Sequence, residues 1–154
     1  MIQVSVCGPR DATPQELSQA REVGRLVAER GAALICGGYG GVMEAAAEGA
    51  ASASGLVIGI LSQPTRDGAN PYLTLAIPTG IGEARNAIIA LAGDAVIVIG
   101  GSWATLSELA LARRRGKTVV QLGGWRITDA DGNPVEGVAY AETPEEAIAK
   151  AALF

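Results

Sequence analysis

The stretch Asp94–Ala112, DAVIVIGGSWATLSELALA, determines how the rest of the chain is interpreted. It begins with Ala95–Ile99, a continuous run of apolar and mostly β-branched residues, which is typical of a strand buried on both faces in a parallel sheet. Gly100 and Gly101 end that strand, and from Leu106 the apolar residues recur at helical spacing. The stretch therefore predicts a strand, a glycine turn and a helix in direct succession.

The turn at the start of this helix is a candidate anion-binding site. The first N–H groups of a helix have no partner within it, and glycines let a ligand approach the backbone closely. Ser102 and Thr105 add hydroxyl groups, and either could cap the helix. Glu108 is expected near the first turn, close to any bound ligand. The alternative is an ordinary helix start, in which a hydroxyl caps the helix and the glutamate complements its dipole.

A second glycine-rich turn, Gly37–Gly41, follows the predicted strand Ala33–Cys36. Four glycines in five positions indicate a special backbone path, of the kind that cradles a ligand. The turn lacks the full dinucleotide-binding fingerprint and a Walker lysine, so neither NAD nor ATP follows from it. Close packing of the next helix on the strand is the alternative.

Strands and helices alternate along the chain, which predicts an α/β fold of the Rossmann-like, doubly wound type, with a mostly parallel sheet and helices on both faces. The length favours a single domain over residues 1–154. The predicted strands are Ile2–Cys7, Ala33–Cys36, Leu56–Leu61, Leu73–Ile77, Ala95–Ile99, Thr118–Leu122 and Val138–Ala141. Predicted helices begin near Pro14, Val42, Glu83, Leu106 and Pro144.

The composition argues against several classes of function. A net charge of −4, with Arg113–Arg115 as the main basic tract, disfavours nucleic acid as a partner. No apolar run reaches the length of a membrane span and no signal peptide opens the chain, so we expect a cytoplasmic protein without a membrane partner. The chain has no histidine, which removes Ser-His-Asp and Cys-His catalysis and the common zinc sites. Cys7 and Cys36 are expected to be reduced core thiols, not metal ligands.

The glycine turns are expected to meet at one edge of the sheet. Parallel strands place their carboxyl ends at the same edge, where α/β folds bind ligands. Each of the turns follows a predicted strand: Gly8, Gly37–Gly41, Gly80–Gly82 and Gly100–Ser102. The sequence therefore predicts a ligand cleft at this edge.

Arg85 lies in the first turn of the helix that begins at Glu83. The helix dipole disfavours a cation there, so Arg85 needs either an anionic ligand or an acidic neighbour. Glu83 and Glu108 are the two candidates for that neighbour.

Two of these segments resemble the Rossmann-like superfamily once called "lysine decarboxylase-like", which includes the cytokinin-activating phosphoribohydrolases (LOG proteins) and the molybdenum cofactor carrier proteins. The resemblance extends from Ile2 to about Leu122. The LOG pattern is a P-G-G-x-G-T-x-x-E turn with an upstream M-x-x-R-K helix. Gly100–Glu108 (GGSWATLSE) corresponds to the first and Glu83–Asn86 (EARN) to the second.

The chain departs from the LOG pattern at several positions. Ala104 replaces the glycine before the threonine, no proline precedes the glycine pair, the turn is one residue longer, and Asn86 replaces the lysine. The segment Gly80–Asn86 (GIGEARN), followed by an Ala- and Leu-rich helix and a VIVIG strand, is more similar to the cofactor-carrier branch.

The resemblance implies two alternative functions. In the first, the protein binds a phosphorylated pterin or a nucleotide-like small molecule, most specifically the molybdenum cofactor, and requires no cofactor of its own. In the second, it is a nucleoside-5′-monophosphate phosphoribohydrolase that releases a base and ribose 5-phosphate, with Arg85 and Glu108 as catalytic residues. The resemblance also implies a homo-oligomer, either a dimer or a tetramer. The ligand- and phosphate-binding residues would be Gly8, Arg10, Gly38, Gly40, Gly41, Arg85, Gly101, Ser102 and Thr105.

Overall fold

The computed structural model describes residues 1–154. Seven strands are present: β1 (Gln3–Cys7), β2 (Ala33–Cys36), β3 (Val57–Leu61), β4 (Leu75–Pro78), β5 (Ala95–Ile99), β6 (Thr118–Leu122) and β7 (Val138–Ala141). The five α-helices are α1 (Pro14–Glu29), α2 (Val42–Ser52), α3 (Arg85–Ala92), α4 (Trp103–Arg114) and α5 (Pro144–Ala151). A 3-10 turn over Gly82–Ala84 leads directly into α3.

The strands form one sheet in the order β4-β3-β2-β1-β5-β6-β7, and every neighbouring pair is parallel. Helices α1, α2 and α5 pack on one face, and α3 and α4 pack on the other. The predicted Rossmann-like α/β class is confirmed. The strand order reverses direction between β1 and β5, and in such sheets this switch point is where ligands bind.

Strand β5 lies in the interior of the sheet, between β1 and β6, and all five of its residues are buried. The continuous apolar run that predicted this strand is explained by helices covering both of its faces. Ser102, not Thr105, caps the helix that follows, and α4 begins at Trp103. Glu108 is therefore in the second turn of α4, one turn later than expected.

Helices α1 and α2 are in contact through their backbones. A Cβ atom on Gly24 would lie 2.0 Å from the carbonyl oxygen of Ala46, and one on Gly49 would lie 1.8 Å from the carbonyl oxygen of Arg21. The small residues of α2 are buried in this contact and against the sheet. They are therefore not available for a subunit contact.

The helices predicted to begin near Pro14 and Pro144 begin at those residues. Thr13 caps α1 in a capping box with Glu16, and Thr143 accepts a hydrogen bond from the backbone N–H of Glu146 at the start of α5. Helix α5 ends at Ala151, because Ala152 adopts the left-handed conformation with φ 57°. No helix in the chain combines the length and the hydropathy needed to span a bilayer.

Candidate functional site

A cavity of about 890 Å³ opens at the carboxyl edge of the sheet, at the switch point between β1 and β5. Its volume is in the range of small-molecule sites. Of its 17 lining residues only three are hydrophobic, so the cavity favours a polar ligand. The walls are formed by the turns after β1, β2, β3 and β5 and by the starts of α2, α3 and α4.

The cavity brings together six of the residues expected from the sequence: Gly8, Arg10, Gly40, Arg85, Ser102 and Glu108. Four others do not line it: Gly38, Gly41, Gly101 and Thr105. Thr105 is buried, and its hydroxyl lies 2.7 Å from Ser102 Oγ. A Cβ atom on Gly41 would lie 2.2 Å from the carbonyl oxygen of Arg10, and one on Gly101 would lie 2.7 Å from the Trp125 ring. These two glycines permit the close approach of other segments to the backbone, so they serve packing.

Arg85 is held by backbone carbonyl groups. Its Nη1 donates hydrogen bonds to the carbonyl oxygens of Gly37 and Ile60, each at 2.6 Å. Its Nε is buried without a partner. The residue therefore joins the carboxyl ends of β2 and β3, and it forms an ion pair with neither Glu83 nor Glu108.

Tyr39, which sequence reasoning did not select, is buried beneath two arginines at the cavity wall. The guanidinium carbons of Arg10 and Arg85 lie 5.1 Å and 5.5 Å from the centre of its ring, within the range of cation–π contacts. Its hydroxyl accepts hydrogen bonds from the Gln63 backbone N–H and lies 3.3 Å from Ser62 Oγ. Burial opposes ionisation, but these hydrogen bonds and Arg85 hold the pKa of Tyr39 below its usual value. The available signal was its position as the one aromatic residue within the glycine turn.

Glu108 is 9% exposed and lines the cavity. Burial raises the pKa of its carboxyl group, although the Cys7 thiol within hydrogen-bond reach and the charge of Arg85 oppose that rise. Burial also raises the pKa of Cys36 to about 12 and that of Cys7 well above its usual value. Both cysteines are free and buried, as expected from the sequence. No group of three or more Cys, Asp or Glu side chains could hold a metal ion.

Three helix N-termini face the cavity, and two of them have no side-chain cap. Gly41 precedes α2 and provides no side chain, and neither the 3-10 turn nor α3 has a side-chain cap, whereas Ser102 caps α4. Unpaired N–H groups and the helix dipole favour anions at such ends. Asn86, buried at the start of α3, and Gln63 in the loop after β3 add amide groups that the sequence did not single out.

The sequence model of one protein family, described as the SLOG cluster4 family, matches residues 1–148. This chain belongs to the SLOG cluster4 family. A protein of Archaeoglobus fulgidus is 41% identical to it over 148 residues, which are 96% of this chain and 93% of the relative. Membership agrees with the resemblance seen in the sequence to the LOG-like superfamily.

Two solved structures of molybdenum cofactor proteins share the fold. The molybdenum cofactor binding protein of Rippkaea orientalis is 36% identical, with a TM-score of 0.86, and the match covers 96% of this chain and 93% of that one. The molybdenum cofactor carrier protein of Chlamydomonas reinhardtii is 33% identical, with a TM-score of 0.82, and the match covers 96% and 94% of the two chains. This SLOG cluster4 chain is therefore similar over nearly its whole length to two cofactor-binding proteins.

Proposed function

We propose that this protein binds a phosphorylated pterin, the class to which the molybdenum cofactor belongs, in the cavity at the β1–β5 switch point. The observation that carries the proposal is the convergence of three helix N-termini and Arg10 on one polar cavity. The cavity volume of about 890 Å³ accommodates a fused ring system with a phosphate group. The similarity to two molybdenum cofactor proteins at 33% and 36% identity supports the same ligand class.

The phosphate end of the site is formed by Arg10 and the start of α2. A Cβ atom on Gly40 would meet only Glu44 Oε2 at 3.9 Å and Arg10 Cγ at 4.0 Å, so the backbone there is open to a ligand and lies near one carboxylate and one arginine. The exposed Arg10 guanidinium lies over the Tyr39 ring and offers charge-assisted hydrogen bonds to phosphate oxygens. The dipole of α2 and the Arg10 cation thus favour an anion at this place, and the Glu44 carboxylate in the first turn of α2 opposes it.

A nucleoside-5′-monophosphate phosphoribohydrolase is the second candidate, because Arg85 and Glu108 both line the cavity. A carboxylate in a dry cleft stabilises the positive charge that develops when an N-glycosidic bond breaks. However, Arg85 Nη1 already bonds two carbonyl oxygens, so this arginine is engaged by the ends of two strands. We therefore expect no release of adenine from AMP, measured by liquid chromatography over hours. Release that is lost in Glu108→Gln would favour the hydrolase instead.

We also propose that the protein forms a homo-oligomer, a dimer or a tetramer, through α3. Ile88 and Leu91 are one turn apart on this helix and are 41% and 43% exposed. Exposed apolar side chains on one helix face are typical of a subunit contact.

The binding proposal is tested by titrating the protein with 6-hydroxymethylpterin monophosphate and following the fluorescence of the pterin. Saturable binding is expected, with much weaker binding of 6-hydroxymethylpterin, which lacks the phosphate. Arg10→Ala should weaken binding of the phosphorylated compound by about 1.5–3 kcal/mol, the value of a hydrogen bond to a charged group. Arg114→Ala, at the far end of α4, is the matched control. Absence of binding would contradict the proposal.

A further inference from the structure

Glu108 is a buried carboxyl group at the cavity wall that the phosphate end of the site does not use. It is 9% exposed, and none of the five ion pairs of the molecule includes it. The protein donor within its reach is the Cys7 thiol, and a thiol is a weak donor. A buried carboxylate with so few donors is unfavourable, so its oxygens are available to a ligand.

The groups around Glu108 do not neutralise it. Cys7 ends β1, Cys36 ends β2, and Arg85 begins α3, and these three are the ionisable groups whose charges couple to Glu108. Both thiols are buried and protonated, because burial raises the pKa of each. Arg85 is the one cation among them, and its Nη1 is bonded to the carbonyl oxygens of Gly37 and Ile60. A donor for the Glu108 oxygens must therefore come from the cavity.

We infer that Glu108 recognises the adjacent ring N–H and 2-amino group of a 2-amino-4-oxopyrimidine ring, the edge shared by pterins and guanine. The inference rests on the proposed function, since it assumes that a phosphorylated ring compound occupies the cavity. A carboxylate accepts two parallel hydrogen bonds from a pair of neighbouring N–H groups, as it does from arginine.

The same geometry disfavours other ligand groups at this wall. A phosphate would meet like charge at Glu108, whereas Arg10 offers it a cation on the same cavity. A ring with a 2-oxo group presents an acceptor where the 2-amino group would donate, and two facing acceptors repel. Glu108 is therefore a specificity-determining residue, which selects the ring, whereas Arg10 and the α2 N-terminus select the phosphate.

The test compares 6-hydroxymethylpterin monophosphate with 6-hydroxymethyllumazine monophosphate, which differs by a 2-oxo in place of the 2-amino group. Wild-type protein should bind the pterin about tenfold or more tightly than the lumazine, the ratio expected for a hydrogen bond to a charged group. In Glu108→Gln the preference should vanish or reverse, because the glutamine amide can donate to the 2-oxo group. Glu83→Gln, an exposed carboxylate on the same cavity, should keep the wild-type preference.

The outcomes separate the inference from the proposed function. Equal binding of the two compounds by wild type, or an unchanged preference in Glu108→Gln, would overturn the role of Glu108 and leave the binding function standing. If neither compound binds, the proposed function fails and the inference fails with it. Circular dichroism checks that Glu108→Gln is folded. If Glu108→Gln does not fold, Glu108→Asp is used in its place; it withdraws the carboxylate by one carbon and should reduce the preference for the pterin.

Discussion

Arg85 and Glu108 line the same cavity but form no ion pair, since Arg85 Nη1 bonds the carbonyl oxygens of Gly37 and Ile60. The sequence offered two partners for Arg85, an anionic ligand or an acidic neighbour. In the structure its partners are of a third kind, the backbone carbonyl groups at the carboxyl ends of β2 and β3. Arg85 thus fixes the wall of the site, and Glu108 keeps its oxygens free.

Arg85→Ala should lower the stability of the ligand-free protein. The substitution leaves the carbonyl oxygens of Gly37 and Ile60 without their charged donor, which is expected to cost about 1.5–3 kcal/mol in the free energy of unfolding. Urea denaturation followed by circular dichroism measures this value. Arg10→Ala, which removes an exposed side chain from the same cavity, should leave it nearly unchanged. Equal stability of Arg85→Ala and wild type would show that the two hydrogen bonds are unimportant.

Glu108→Gln should stabilise the ligand-free protein at neutral pH. Burial raises the pKa of Glu108 above its ordinary value of 4.5, so the folded state binds this proton more tightly than the unfolded state does. The free energy of unfolding of the wild type therefore falls as the pH rises from about 4.5 through the folded-state pKa of Glu108. Glutamine does not titrate, so the variant does not lose this stability. The melting temperature of Glu108→Gln should match wild type in acid and exceed it increasingly toward neutral pH. A difference that does not change with pH would contradict this account.

Gly49→Ala should destabilise the protein because α1 and α2 touch through their backbones. The new Cβ would lie 1.8 Å from the Arg21 carbonyl oxygen, so the helices must separate. Overpacking of this kind costs about 1–3 kcal/mol, which thermal unfolding would detect. Ala51→Met, on the exposed side of α2, adds more volume toward solvent and should have little effect. An unchanged melting temperature for Gly49→Ala would mean that the helices are not in close contact.

Sedimentation equilibrium should give a mass of at least two chains at micromolar concentration. Ile88 and Leu91 expose apolar surface on α3, and a second copy would cover it. Leu91→Arg places a charge in that contact, and we expect it to shift the protein toward a single chain. Leu75→Arg, at the exposed edge strand β4, is the control and should leave the mass unchanged. A wild-type mass of one chain would refute the oligomer.

The fold was predictable because its signals are local. The apolar run Ala95–Ile99 marks a strand covered on both faces, and Thr13 and Thr143 mark helix starts through side-chain caps that involve neighbouring residues. Each of these features depends on a few adjacent residues, so no knowledge of the tertiary structure was needed.

The site was predictable only in part, because its geometry depends on packing between distant segments. The sequence does not distinguish Gly40 from Gly41, but Gly40 lines the cavity whereas Gly41 packs against the backbone of Arg10. The hydrogen bonds from Arg85 to the carbonyl oxygens of Gly37 and Ile60 join residues that are 48 and 25 positions apart in the sequence, and no sequence motif predicts them. The role of Tyr39 likewise depends on tertiary contacts, because Arg10 and Arg85 lie over its ring and the Gln63 N–H bonds its hydroxyl.

The most direct test of the central claim is mass spectrometry of the small molecules released when the purified protein is denatured. The protein should be produced in a host that makes molybdenum cofactor, with an Arg10→Ala sample prepared in parallel. We predict a phosphorylated pterin or its oxidation product in near-stoichiometric amount from wild type, and clearly less from the variant. A nucleotide in place of a pterin, or no ligand above the level of a control protein, would contradict the account.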